Sequence, residues 1–430
     1  MSRAGWRAYF GDDARALASP DERGTPSLRA SFEPGTGSSV RYARLGKGEL
    51  MRRLHSLDGL RGIAALVVLV MHVMLTSDVF AEPVLHLNAP TSLSWWQWAL
   101  IYTPLHLAWD GSVAVYIFFI LSGVVLTLPI VSQGSKFSWR SYYPKRLIRL
   151  YLPVWGAVVV GTLIALMIPR KDDASYGTWL SSRPGVTSSG VVRDLTLVAG
   201  PSDVISPLWT LQWEVLFSVL LPLYAVFALK LRVAWWIKMT LVLAAVGAGV
   251  LLGYESVAYM SMFAIGSVLA TVLPRLGAAR RSSALASATL LAIILATARW
   301  LALGAGANEA VLNLLRLVAV IGAGALVVLA VTWLPLNRWL SGSLSQWLGA
   351  VSFSLYLIHE PIVLGVSYLV GPDWVWFAIP ISLGAAWIFW RVVEAPSHRL
   401  AQYIGRHLLP KEARIQSHVS TVDAQQPRPN

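Results

Sequence analysis

Three segments that otherwise carry only hydrocarbon hold side chains capable of moving protons. His72 is flanked by Val70, Met71, Val73 and Met74 in SLDGLRGIAALVVLVMHV, Glu214 lies within SPLWTLQWEVLFSVLLPL, and His359 with Glu360 interrupts SFSLYLIHEPIVLGVSYLV. Imidazole titrates near neutral pH and can take a proton from a hydroxyl group, while a neighbouring carboxylate can orient it or stabilise its cation. An ionised group at mid-membrane costs about 2.5 to 3.5 kcal/mol on insertion scales, so such residues face partners or water-filled paths. Three of them at comparable depth in different segments point to a site. A proton-coupled transporter uses the same residue types and is the alternative reading to an enzyme. A metal centre built from His72, His359 and Glu214 has suitable ligands but no local spacing motif, and no metal is expected. Cysteine is absent, which excludes thiolate ligands and a cysteinyl acyl-enzyme.

Spacing adds a basic partner. Arg61 precedes His72 by 11 residues, close to three turns of helix, so the two share one face about 16 Å apart along the axis. Arg61 alone could equally snorkel to the interface. Ser122 and Gly123 in WDGSVAVYIFFILSGVVL read as a close helix contact.

The elements that position these residues follow from composition. The chain has 430 residues, 56% hydrophobic and 13% charged, with a formal net charge of +13 and 20 tryptophans. That is too apolar for a soluble globular protein. Windows of about 20 apolar residues, the length needed to cross a bilayer, occur ten times. They run over 57–76, 112–131, 147–168, 207–229, 237–253, 256–273, 284–303, 310–333, 346–370 and 374–393. The fold class is an all-α integral membrane protein, a bundle of about ten transmembrane helices.

Basic residues concentrate before the first window, between the second and third, after the fourth and sixth, and after the last. None occurs in 77–111, 253–255 or 371–373. Positive residues mark the cytoplasmic side, so both termini are expected there, in a multi-pass protein of the plasma membrane. The loop 169–206 departs from the rule with Arg170, Lys171, Arg183 and Arg193, accompanied by three aspartates at 172, 173 and 194. Domain boundaries are expected at 1–55, a basic disordered tail, 56–400, the membrane domain, and 401–430, a second disordered tail. The positive charge is scattered over loops and tails, which fits the lipid bilayer and an anionic cosubstrate and excludes nucleic acid as a partner. Trp95, Trp96 and Trp98 read as an interfacial anchor.

The ordered motifs carry a resemblance. SLDGLRGIAALVVLVMH, DGSVAVYIFFILSGVVL, KRLIRLYLP with its Arg146 and Arg149, LWTLQWEVLF, SFSLYLIHEPIV and VVEAPSHRL together resemble the membrane acyltransferase 3 family over 56–400. The resemblance implies transfer of an acyl group, acetyl above all, from cytoplasmic acyl-coenzyme A (acetyl-CoA) to a hydroxyl of a carbohydrate or glycoconjugate acceptor. A small secondary metabolite is the alternative acceptor. The residues fit that chemistry: His72 is the expected general base, Glu214 would orient it or stabilise its imidazolium, and Arg61, Arg146 and Arg149 would seat the coenzyme A phosphates, which guanidinium binds bidentately. His359, Trp209 and Tyr356 are the expected substrate-binding residues.

Overall fold

The computed structural model describes residues 47–87, 92–170, 176–198, 200–202, 204–276 and 282–408, with side chains from His55 onward. Most of the two expected tails therefore lies outside the described residues. Helix α1 nevertheless begins at Lys47 and the final helix ends at His407, so regular structure extends into both expected tail regions.

Sixteen helices follow one another, with no strand among the described residues. They are α1 (Lys47–Met74), α2 (Asp78–His86), α3 (Trp95–Tyr102), α4 (Gly111–Gln133), α5 (Trp139–Met167), α6 (Gly177–Ser181), α7 (Ser188–Thr196) and α8 (Leu208–Ala225). Then come α9 (Trp235–Leu251), α10 (Glu255–Val272), α11 (Ser283–Gly304), α12 (Glu309–Thr332), α13 (Leu334–Leu340), α14 (Ser343–Val370), α15 (Ala378–Phe389) and α16 (Ala395–His407). Among the described residues nine helical runs are long and apolar enough to cross a bilayer. The remaining expected span, the fifth at 237–253, is α9, whose 17 residues reach about 25 Å at 1.5 Å per residue. The last run is continuous from Pro372 to His407, because a π-helical turn, Trp390–Glu394, joins α15 to α16.

Long apolar helices with no polar face have no aqueous side, so burial alone sorts them. The windows of α1, α4, α10 and α14 are the most enclosed, whereas α11 turns most of its surface outward. Leu163, Leu166 and Met167 on α5 and Leu290 and Leu291 on α11 are exposed, as lipid-facing residues must be.

Two backbone crossings set the centre. Helices α1 and α14 pass so close that a Cβ on Gly62 would collide with the backbone of Gly349, and one on Gly349 would lie 2.5 Å from the Asp58 carbonyl. Helices α4 and α10 cross in the same way at Gly123 and Gly266, as the Ser122-Gly123 pair led one to expect. Among the named crossings α1 and α14 run parallel: Arg61 meets Ser352, and 11 residues later His72 meets His359. We call the end carrying Lys145, Arg146 and Arg406 the basic end and its opposite the loop end.

Candidate functional site

His72 and His359 face each other in the interior. The Nε2 of His359 lies 3.1 Å from the Nδ1 of His72, and the rings meet edge to face at 4.8 Å. Each Nδ1 also lies 2.9 Å from a carbonyl oxygen one turn back, Val68 for His72 and Leu355 for His359. A carbonyl only accepts, so in a neutral His359 the proton sits on Nδ1 and leaves Nε2 as an acceptor. The His72 Nδ1 then faces two acceptors and must carry its proton. By this assignment, made from the hydrogen-bond network, His72 Nε2 keeps its lone pair. The Val68 carbonyl and His359 together thus occupy the Nδ1 side of His72, the place expected of Glu214.

Above the pair, toward the loop end, the segment 176–206 folds inward as a roof. Trp179 of α6 lies 5.6 Å from the His72 ring, and the Arg183 guanidinium stacks 4.6 Å over Trp179. Arg183 Nη1 donates to Glu360 at 3.2 Å; Glu360 is fully buried and also accepts from the Ser206 amide (2.5 Å) and hydroxyl (2.6 Å). Arg170 braces the roof by donating to the carbonyls of Pro184 and Val204, both at 2.6 Å. Burial among these groups pushes the Arg170 guanidinium below its ordinary range. The basic residues that break the charge rule in this loop thus include two with a defined task. Arg183 pairs with Glu360 on α14 and Arg170 with the two loop carbonyls, while Asp194 accepts from the Ser202 amide and hydroxyl.

Below the pair, Glu214 has a different partner from the one expected. Its carboxylate forms an ion pair with Arg146 and accepts from Ser122 at 3.4 Å. Arg146 also donates to Ser218 Oγ at 3.0 Å. Thr210, Glu214 and Ser218 follow one another at every fourth residue, so one stripe of α8 faces this side. Thr210 bonds Tyr356 at 2.8 Å, and the Tyr356 ring lies 6.0 Å from that of His359. Trp209, on the flank of the stripe, packs 5.1 Å from Tyr259 and 6.3 Å from Phe119.

At the basic end, Arg61 donates to Ser352 Oγ and the Gly349 carbonyl, both at 2.9 Å, and stands 3.6 Å from Asp58. Much of its guanidinium therefore ties α1 to α14. Arg149 lies on the exposed side of α5. Glu394 accepts from the Ser354 hydroxyl at 2.5 Å, which holds the π-helical turn against α14. Among the described residues no group of three or more His, Asp or Glu is placed to hold a metal ion.

The structure brings His72, His359 and Tyr356 together, and Glu214 together with Arg146. Trp179 was not singled out in the sequence, and Arg183 and Glu360, though noticed there, were given no role. The signal available for them was the out-of-place positive charge of 169–206.

A protein family described as an acyltransferase domain, acyltransferase 3, matches residues 54–391. Acyltransferase MdmB of Streptomyces mycarofaciens is 31% identical over 195 residues, 43% of this chain and 43% of that protein. The chain thus spans less than half the length of this curated relative. No solved structure matches it.

Proposed function

The chain belongs to the acyltransferase 3 family, and from that premise we propose that it moves an acetyl group from cytoplasmic acetyl-CoA to a hydroxyl of a carbohydrate or glycoconjugate. The observation that carries the reading is the lone pair left on His72 Nε2 by the Val68 carbonyl and His359. That nitrogen takes the proton of the acceptor hydroxyl as its oxygen attacks the thioester carbonyl. The carbon–sulfur bond then breaks, and the proton passes from the His72 imidazolium to the departing thiolate. His359 serves as a positioning residue that holds the reactive tautomer.

Charge supports the direction of entry. Arg61, Arg146 and Arg149 lie toward the basic end, where guanidinium groups would receive the coenzyme A phosphates. Arg61 and His72 are 11 residues apart on one helix, about 16 Å, a distance suited to an extended pantetheine arm. Glu214 in this arrangement steadies Arg146. Both termini lie in the cytoplasm of a plasma-membrane protein.

The test is transfer of label from radiolabelled acetyl-CoA to extractable carbohydrate in membranes holding the wild type or His72→Ala. Transfer by the wild type alone is the expected result. Equal transfer by both would remove His72 from the chemistry, and proton-driven flux without any acetyl-CoA dependence would favour a transporter.

A further inference from the structure

Helix α14 climbs from the basic end, where Gly349 meets Asp58, and the α15–α16 run returns there, where Ser141 donates to the Gly405 carbonyl. Between α14 and α15 opens a groove of about 320 Å³ lined by Trp347, Leu383, Gly384 and Trp387. Ligand sites run from about 300 to 1,000 Å³. A Cβ on Gly384 would meet no atom within 4 Å, so the missing side chain there keeps the groove open. Ile381, Ile388 and Val392 on the same run are exposed, and exposed apolar residues on a membrane span face hydrocarbon.

The groove is apolar in its walls and polar at its border. Arg391 is exposed, forms no ion pair among the described residues, and holds its guanidinium 5.4 Å from the Trp387 ring. The indole N–H groups of Trp347 and Trp387 are not enclosed, and neither has an acceptor among the described residues. Trp347 stands one turn inside α14 and Arg391 directly beyond α15, where tryptophan and arginine sit at a membrane interface.

This mixture selects the occupant. A soluble anion would pair with Arg391 and leave the apolar walls unfilled. A neutral glyceride would fill the walls and leave the guanidinium uncompensated. A phospholipid supplies both a hydrocarbon chain and oxygens that accept from indole and guanidinium, and Arg-to-phosphate hydrogen bonds are among the strong ones. A zwitterionic headgroup would also bring a cation toward Arg391, which an anionic headgroup does not.

We propose that the α14–α15 groove seats one anionic glycerophospholipid of the leaflet at the basic end, with an acyl chain along Leu383, Gly384 and Trp387, its ester oxygens at the two indoles and its phosphate on Arg391. Through Arg391 the lipid braces the π-helical turn Trp390–Glu394, whose inner side is held to α14 by Glu394 and Ser354. Nothing in this seat depends on acyl transfer.

Purified full-length protein would be placed in nanodiscs of dioleoylphosphatidylcholine and dioleoylphosphatidylglycerol in equal parts, extracted into detergent, and its retained lipid identified by native mass spectrometry. The wild type should keep a single phosphatidylglycerol in preference to phosphatidylcholine. Arg391→Gln should cut that preference about fivefold, the worth of one basic residue at a membrane surface, and Arg391→Lys should keep part of it. Gly384→Phe, which fills the groove, should remove retained lipid of both kinds. Arg232→Gln, which removes a charge between α8 and α9, should change nothing. Circular dichroism checks that each variant folds, and the two Arg391 variants, at an exposed position, decide the matter if Gly384→Phe misfolds. Retention of both lipids alike by the wild type would mean ordinary boundary lipid only and would overturn the seat. So would a loss in Arg232→Gln equal to that in Arg391→Gln, or phosphatidylglycerol held undiminished by Arg391→Gln.

Discussion

Arg183 and Glu360 are 177 residues apart in the chain and 3.2 Å apart in the structure, and together they fasten the roof loop to α14 directly after His359. The pair is almost dry, with Arg183 13% exposed and Glu360 0%.

Removing one half of a buried pair leaves the other charge without compensation, which costs about 3 to 5 kcal/mol. Glu360→Gln should therefore lower the unfolding temperature and open 176–206 to protease before the helices are cut. Arg183→Met with Glu360→Gln together should recover part of that loss. Limited proteolysis combined with a thermal scan reads both effects.

The two histidines should not be equivalent. His72→Gln is expected to reduce transfer by about 10² to 10⁴-fold, the usual contribution of a general base. His359→Gln keeps an amide oxygen able to accept from His72 Nδ1 and should retain more activity than His359→Phe. Single-turnover transfer from labelled acetyl-CoA measures all three; a His359→Phe enzyme as active as His359→Gln would show that the tautomer is set elsewhere.

Glu214 separates two roles by kinetics. If it steadies Arg146, Glu214→Gln raises KM for acetyl-CoA several-fold with a smaller change in kcat. If it stabilised the His72 imidazolium, kcat would fall and KM would stay. Steady-state kinetics with varied acetyl-CoA decide between them.

Acidification should loosen the loop end through His106, whose ring is sandwiched between Trp300 at 3.9 Å and Trp109 at 4.1 Å. Burial pushes this imidazole down to about 3, against hydrogen bonds to the Ile101 and Leu100 carbonyls that act upward. Its contribution is complete above about 6.5 and is lost as pH falls, because the unfolded state takes the proton first. Asp110 works oppositely: burial raises it to about 6, against the Val113 amide and Trp300. Its contribution is complete below the ordinary carboxylate range and is lost as pH rises through 6. Hydrogen exchange of 101–110, corrected for intrinsic rate, should be faster at pH 5 than at pH 7 in the wild type. In His106→Gln the order should reverse, since only Asp110 remains.

Crowding at the central crossing gives a stability prediction. Gly62→Leu forces a side chain into the Gly349 backbone, where overpacking costs about 1 to 3 kcal/mol or more. The substitution should lower thermal stability and separate Arg61 from Ser352, whereas Gly384→Leu, with open space at its Cβ, should do neither.

Much of this arrangement was legible in the residues. Hydropathy located the spans, because a bilayer imposes one length on every crossing, and only α9 came out shorter than the rest. The interval from Arg61 to His72 reported a shared helix face, and Gly123 reported a close crossing. Partnerships between spans were not legible. Glu214 could meet any residue of its depth, and only the packing of α5 against α8 decides for Arg146. The His72–His359 bond joins the first and ninth spans, and no local pattern encodes that adjacency. The loop 169–206 announced itself by its misplaced arginines, yet the carboxylate that Arg183 meets lies on α14, outside any window that loop reading considers.

The pairing of α1 with α14 has a consequence for biosynthesis. His72 leaves the ribosome nearly three hundred residues before His359, so for most of translation the first span waits in the bilayer with an imidazole bonded only within its own helix and an unfilled crossing at Gly62. Chains interrupted before the ninth span contain Arg61, Arg146 and Arg149 but lack His359. The contact between the two histidines is therefore made only when synthesis is nearly finished.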